Sequence, residues 1–161
     1  MKAFVTEQNG VRQISIDGKV FPPYSFRSFR PVERNISEFY DAGVRLMSIL
    51  MTGIECTLQV PYSLHGEIWT GKGQYDFEAI DRQMDLFMRC APDAYFNIML
   101  QLDTRDWYLK EHPECSNTFH NLIEMAGYQQ WRDDVCEYLR DVIGYLEEKY
   151  GDRIFSYSMF C

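Results

Sequence analysis

The stretch "FYDAGVRLMSILM" (residues 39–51) decides the architecture. Its first residues complete a helical face begun by Ile36, with Phe39 and Tyr40 on the same side over residues 33–42. Gly43 then stands where a helix ends in the left-handed conformation. Residues 44–51 follow at once as a strand with an almost continuous apolar run, the pattern of a sheet covered on both faces. A helix that passes into a strand through a single glycine is half of a β/α repeat.

The same unit recurs along the chain. Downstream, Asp76 is placed to cap a helix over residues 77–91, in which Ile80, Met84, Phe87 and Met88 recur at helical spacing. Pro92-Asp93 ends it, and "AYFNIMLQL" (residues 94–102) is the next strand. Trp131, Val135, Tyr138, Leu139, Val142, Ile143 and Leu146 then line one face of a long helix that runs to Tyr150 and stops at Gly151. Residues 153–161 form a further strand. Upstream, "PYSFRSF" (residues 23–29) is a short strand and Pro31 opens the first helix. Before these, Asn9-Gly10 and Asp17-Gly18 predict tight turns in an N-terminal hairpin over residues 1–22.

The order is a hairpin followed by β-α-β-α-β-α-β, a single α/β domain with parallel strands joined by right-handed crossovers. Two architectures offer this order: an open doubly wound sheet and a (β/α)8 barrel. The segments after the second and third strands are long, whereas the turns after the helices are one or two residues. Barrel enzymes keep their chemistry on long loops at the strand carboxyl ends and hold the opposite face tight. No glycine-rich phosphate loop follows the first strand. The expectation is therefore a partial TIM barrel, with residues 23–161 as its first half. A whole barrel needs about 250 residues and eight strands, so the 161 residues read as the front half of a larger enzyme that breaks off after the fourth strand.

The formal charge of −8 argues against nucleic acid and anionic membranes as partners, since both require clustered Lys and Arg. Five cysteines (Cys56, Cys90, Cys115, Cys136 and Cys161) are widely spaced, with no CxxC pair. They predict free, mostly buried thiols rather than disulfides or a metal centre. No signal-peptide core or membrane-length apolar run is present, so the expected location is cytoplasmic.

Aromatic residues make up 16% of the chain, and several stand in the two long loops. "VPYSLHGEIWTGKGQYDFEAID" (residues 60–81) interleaves Tyr62, His65, Trp69 and Tyr75 with Gly66, Gly71 and Gly73. Aromatic faces beside polar groups suit sugar rings, which present C–H patches between hydroxyls; a loop that folds its own rings into a local core fits equally well. In "LQLDTRDWYLKEHPE" (residues 100–114), Asp103 and Trp107 at a strand's carboxyl end would bind hydroxyls. Asp103 could equally cap a short helix running to Leu109. Arg105 and Asp106 are expected on the solvated surface, His112-Pro113 in a turn, and His120 in a structural role.

Five segments carry a resemblance. "IDGKVFPP", "FYDAGVRLMS", "WTGKGQYDFEAID", "RCAPDAYFNIMLQLD" and "DWYLKEHPE", which span most of residues 16–160, resemble the amino-terminal half of clan A glycoside hydrolases, nearest to their β-galactosidase-like members. The resemblance implies a retaining hydrolase of β-linked oligosaccharides, galactose-containing ones among them, needing no cofactor. It implies an acid/base glutamate just beyond the fourth strand and a nucleophile beyond the seventh. Neither lies within this chain, so the chain alone is expected to be inactive. The positions it marks for substrate are Tyr62, His65, Trp69, Asp103 and Trp107. Where such enzymes carry a proline and paired tryptophans after the third strand, this chain has Arg105-Asp106-Trp107-Tyr108, which leaves the sugar open. The alternatives are a non-catalytic sugar-binding or self-pairing half-barrel of undetermined oligomeric state, and another barrel sugar enzyme such as a metal-dependent isomerase.

Overall fold

Asn9 and Gly10 both adopt positive φ (53° and 75°), as do Asp17 and Gly18 (47° and 85°), which is the backbone twist that tight hairpins demand. They join β1 (Ala3–Gln8), β2 (Val11–Ile16) and β3 (Lys19–Phe21) into a three-stranded antiparallel sheet. The computed structural model describes residues 1–56, 59–115 and 126–160. His120 and Cys161 therefore lie outside the described residues.

Four parallel strands follow: β4 (Phe26–Arg27), β5 (Leu46–Leu50), β8 (Tyr95–Gln101) and β9 (Ile154–Phe160). Helices α1 (Glu33–Asp41), α2 (Phe77–Cys90) and α4 (Gln129–Tyr150) connect them, with the short α3 (Asp106–Glu111) after β8. The spatial order β4-β5-β8-β9 is the chain order. A doubly wound sheet reverses its strand order and places helices on both faces; here the order never reverses. Met47, Ile49, Phe96, Ile98 and Leu100 turn to one face and join Ile36, Ile80, Met84, Phe87, Tyr138 and Leu146 from the three helices in one buried cluster. Among the described residues no pairing joins β4 to β9, so the sheet is open.

The other face is different. Ser48 lies opposite Asn97, and Asn97 opposite Ser156. Ser25 and Ser48 share a hydrogen bond of 3.0 Å, Asn97 Nδ2 donates to Ser48 Oγ at 3.4 Å, and Ser156 and Ser158 donate to Asn97 Oδ1 at 2.9 and 3.0 Å. One polar network thus links three strands and the approach to the fourth. The run "VRLMSILM" is buried throughout β5 but chemically alternating: one face holds methionine and isoleucine, the other carries this serine.

The N-terminal sheet closes the amino end. Ile16 and Phe21 pack with Leu46, the first residue of β5, and against Tyr95 and Phe155. This leaves the carboxyl end for the loops. Asp76 caps α2 as expected, accepting from Ala79 N at 2.9 Å. Gly43 has φ 93°, the expected left-handed cap of α1. Phe39, expected on the buried face of α1, is exposed and lies over Phe26 with ring centroids 4.7 Å apart. Helices α2 and α4 are fastened through Asp81, which accepts from Tyr145 and Tyr150 hydroxyls at 2.7 Å each and from Lys149 at 2.6 Å.

Candidate functional site

Three loop segments meet above the carboxyl ends of β5 and β8, and one carboxylate ties them. Glu67 Oε2 accepts from Thr52 Oγ1 at 2.6 Å and from Gly53 N at 2.8 Å, both just past β5. Its Oε1 accepts from Trp69 N at 3.0 Å and from Arg105 Nε at 3.1 Å. Both oxygens are fully engaged. The fit at Gly53 is tight enough that a Cβ there would collide with the backbone of Gly66 and Glu67. Arg105, expected at the surface, is 3% exposed. Its Nη1 donates to Gln101 O at 3.0 Å and to Asp103 O, covering carbonyls at the end of β8. Its guanidinium also sits 5.1 Å from the Trp69 ring. The missed pair, Glu67 with Arg105, carries no local sequence signal: the partners are 38 residues apart and neither belongs to a recognisable motif.

The loop over residues 52–75 is not featureless. Trp69–Gly71 (β6) and Gln74–Tyr75 (β7) form a small antiparallel pair turned by Gly73 at φ 62°. This seats Trp69 in the core, at 1% exposure, stacked on Tyr138 of α4 at 4.7 Å and 9°. The local-core reading of the loop therefore holds for Trp69. Trp107 of α3 stands edge-on to it at 5.2 Å and donates its indole N–H to Trp69 O at 2.9 Å, so the ring is fixed while half-buried. Between these parts opens a cleft of about 670 Å³, lined by Ile54, Glu55, Thr104, Asp106, Trp107 and Lys110 over the edge of Trp69. Asp106 is exposed, as expected.

The other predicted residues lie elsewhere. Asp103 does not cap α3, whose N-cap position is Arg105; instead it accepts from Gln101 Nε2 at 2.6 Å. Gln101 follows Asn97 and Met99 on the open face of the sheet. Tyr62 leans on Phe29 with ring centroids 5.6 Å apart, and Arg27, over the Phe29 ring, lies opposite Ser48 on that same face. Burial, with Cys56 and Asp103 nearby, pushes the Tyr62 hydroxyl up against the opposing pull of Arg27. Tyr62 and Asp103 thus converge on the open side of the sheet, while Trp69 and Trp107 belong to the helix-covered side. His65 joins neither. It lines a second cavity of about 460 Å³ with Val32, Leu64, Arg82 and Leu86, and burial plus the Arg82 charge lower its pKa, favouring the neutral imidazole.

Among the described residues, no three His, Cys, Asp or Glu side chains converge as a metal site would require. Of the cysteines, Cys115 is buried, Cys56 and Cys90 are half-buried and Cys136 is exposed; all four are free thiols, and the expectation of mostly buried thiols holds only for Cys115. No helix among the described residues is long and apolar enough to cross a membrane.

No known family profile matches the chain, and no curated protein sequence matches it. A solved structure does: the endo-1,4-beta-mannanase from Rhizomucor miehei superposes with a TM-score of 0.53 over 97% of this chain, at 14% sequence identity. The chain spans about half of that protein, 48% of its length. At this identity the likeness speaks to fold: a mixed α/β arrangement with a parallel sheet that a glycoside hydrolase also uses.

Proposed function

We propose that this chain is the saccharide-binding front half of a (β/α)8 glycoside hydrolase acting on β-linked oligosaccharides, galactose-containing ones among them. The observation that carries the reading is Trp107, an aromatic ring fixed by its own N–H and displayed in an open cleft at the carboxyl edge of a parallel sheet. Support comes from the unreversed strand order, the single helix-covered face, the plugged amino end and the superposition on half of a mannanase. Tyr62, Asp103 and Trp107 are the proposed sugar contacts, with Trp69 as the backing of Trp107.

Catalysis belongs to the complete enzyme. A retaining mechanism needs two carboxyl groups about 5 Å apart, one able to act as acid and the other free to attack. In this reading both carboxyl groups come from the part of the enzyme that follows the fourth strand, and the cleft's own Glu67 is committed to four donors. The 161-residue chain is therefore inactive by itself in this reading.

The test is direct. Trp107 fluorescence is followed while β-1,4-linked manno- and galacto-oligosaccharides are added, and chromogenic β-glycosides are assayed in parallel. Binding that Trp107→Ala weakens by about tenfold, a stacking contribution near 1.4 kcal/mol, is expected with no turnover. Turnover by this chain, or binding indifferent to Trp107, refutes the reading.

A further inference from the structure

Resting on that saccharide reading, we propose that Asp134 is a positioning residue for Trp107, tying down both partners of the hydrogen bond that holds this ring in the cleft. Asp134 lies on α4, 3% exposed along its side chain, among the buried residues Trp131, Val135 and Tyr138. Its Oδ1 accepts from Lys72 Nζ at 3.1 Å and from Gln130 Nε2 at 2.9 Å. Its Oδ2 accepts from the Tyr108 hydroxyl at 3.2 Å and from Gln130 Nε2 at 3.0 Å. Burial alone would raise the pKa of this carboxyl, but the hydrogen bonds from Gln130 and Lys72, the Lys72 charge and Tyr108 outweigh it and hold it below its ordinary value.

Lys72 and Tyr108 come from the two segments that carry the ring and its anchor. Lys72 stands in the Gly71-Lys72-Gly73 turn of the β6–β7 hairpin, whose first residue, Trp69, offers the carbonyl that accepts the Trp107 indole N–H. Tyr108 follows Trp107 in α3 and is 1% exposed. The contacts therefore close a circuit. It runs from Asp134 to Lys72, along the hairpin to Trp69, across to Trp107, on to Tyr108 and back to Asp134. One turn further along α4, Tyr138 supports the same hairpin by stacking on Trp69. Joining a helix to a hairpin does not by itself call for a charge, because apolar residues of similar volume in place of a buried ion pair are often neutral or stabilising. What a carboxylate adds is direction, since hydrogen bonds hold only within a narrow range of distance and angle. Asp134 thereby sets α3 against the hairpin, and with it the face that Trp107 shows to a sugar.

Two substitutions test this, Lys72→Met and Asp134→Asn. Acrylamide quenching reads Trp107 without any ligand, because the other tryptophans, Trp69 and Trp131, are only 1% and 6% exposed. In both variants the quenching slope should rise above that of the parent chain. Affinity for β-1,4-linked manno- and galacto-oligosaccharides should fall about fivefold, a coupling of the size found between contacting residues. Lys72→Arg, which keeps the charge, should leave both readouts near parent values, and in a Trp107→Ala background Lys72→Met should weaken binding no further. If circular dichroism shows Asp134→Asn unfolded, Lys72→Met, which alters a side chain 56% exposed, carries the test. Unchanged quenching, unchanged affinity, or an equal loss of affinity without Trp107 overturns the inference, whatever happens to the melting temperature, and leaves saccharide binding standing. Should the parent chain bind no oligosaccharide, the saccharide reading falls, and quenching alone decides whether Asp134 positions Trp107.

Discussion

Truncating Glu67 to alanine should be among the most damaging single changes outside the apolar core. The side chain accepts four hydrogen bonds, from Thr52 Oγ1, Gly53 N, Trp69 N and Arg105 Nε, and it is the carboxylate that compensates the nearly sealed Arg105. Removing one partner of a buried ion pair costs about 3–5 kcal/mol because a charge is left uncompensated. Glu67 is 22% exposed along its side chain and Arg105 keeps two carbonyl acceptors, so the lower end applies, about 3 kcal/mol. For a chain of this size that corresponds to a fall of roughly 10 °C in Tm.

The complementary change, Arg105→Met, should cost less, about 1–2 kcal/mol. Glu67 would still hold three donors and reach water, and methionine can fill the space beside Trp69 and Tyr138. Urea denaturation monitored by tryptophan fluorescence measures both. The inequality is the informative part. If Arg105→Met proves the more destabilising, or if Glu67→Ala costs under about 1 kcal/mol, the carboxylate is not the tie that holds the three loops.

Three further outcomes are expected. Burial alone would raise the pKa of Asp81, but the hydrogen bonds from Lys149, Tyr150 and Tyr145 outweigh it and hold the carboxyl below its ordinary value. Its stabilisation is therefore complete above about pH 4 and lost as pH falls through the depressed folded value; Asp81→Asn should flatten the acid limb of a stability–pH curve, and an unchanged limb would contradict this. Gly53→Ala should destabilise by about 1–3 kcal/mol, since the new methyl meets backbone rather than a yielding side chain; normal stability in a thermal melt would mean the two loop segments separate freely. Tyr138→Phe should be neutral or stabilising by about 1 kcal/mol, because burial pushes this hydroxyl up to about 12 and it finds no hydrogen-bond geometry even beside Arg105; a clear loss of stability in the same melt would show that Arg105 does donate to it.

Much of the fold is legible in the sequence. Helical spacing, single-glycine or proline punctuation and the two positive-φ dipeptides placed the elements to within a few residues, because each signal is local and backbone-driven. Two of the errors share one cause, partners distant in sequence. Arg105 reads as a surface arginine until Glu67 arrives from 38 residues upstream. Trp69 reads as a ring on a glycine-rich loop until Tyr138 supplies a stacking surface from α4. Asp103 looked like an N-cap because an acidic residue precedes a short helix, yet Gln101, two residues back, takes its carboxylate instead. Phe39 fits the helical stripe, yet it stays exposed where it lies over Phe26.

The serine in "VRLMSILM" bears most directly on what the sheet is for. A parallel sheet covered on both faces by helices would carry apolar side chains on both. Here one face meets α1, α2 and α4 through methionine, isoleucine, phenylalanine and leucine, and the other carries, beside Leu50 and Met99, Ser48, Asn97, Ser156 and Ser158 in a network that satisfies Asn97 Oδ1 twice over. Such a face has no use for a second helical layer, because burying it under apolar side chains would leave the remaining hydroxyl and amide capacity without partners. It suits the inside of a curved sheet, where small polar residues from successive strands meet one another at close range. The carboxyl ends of β4, β5 and β8 lie side by side at one end of this sheet, where Arg27 and Asp103 both act on the Tyr62 hydroxyl. The polar layer and this end of the sheet thus belong to one arrangement, four parallel strands whose order never reverses.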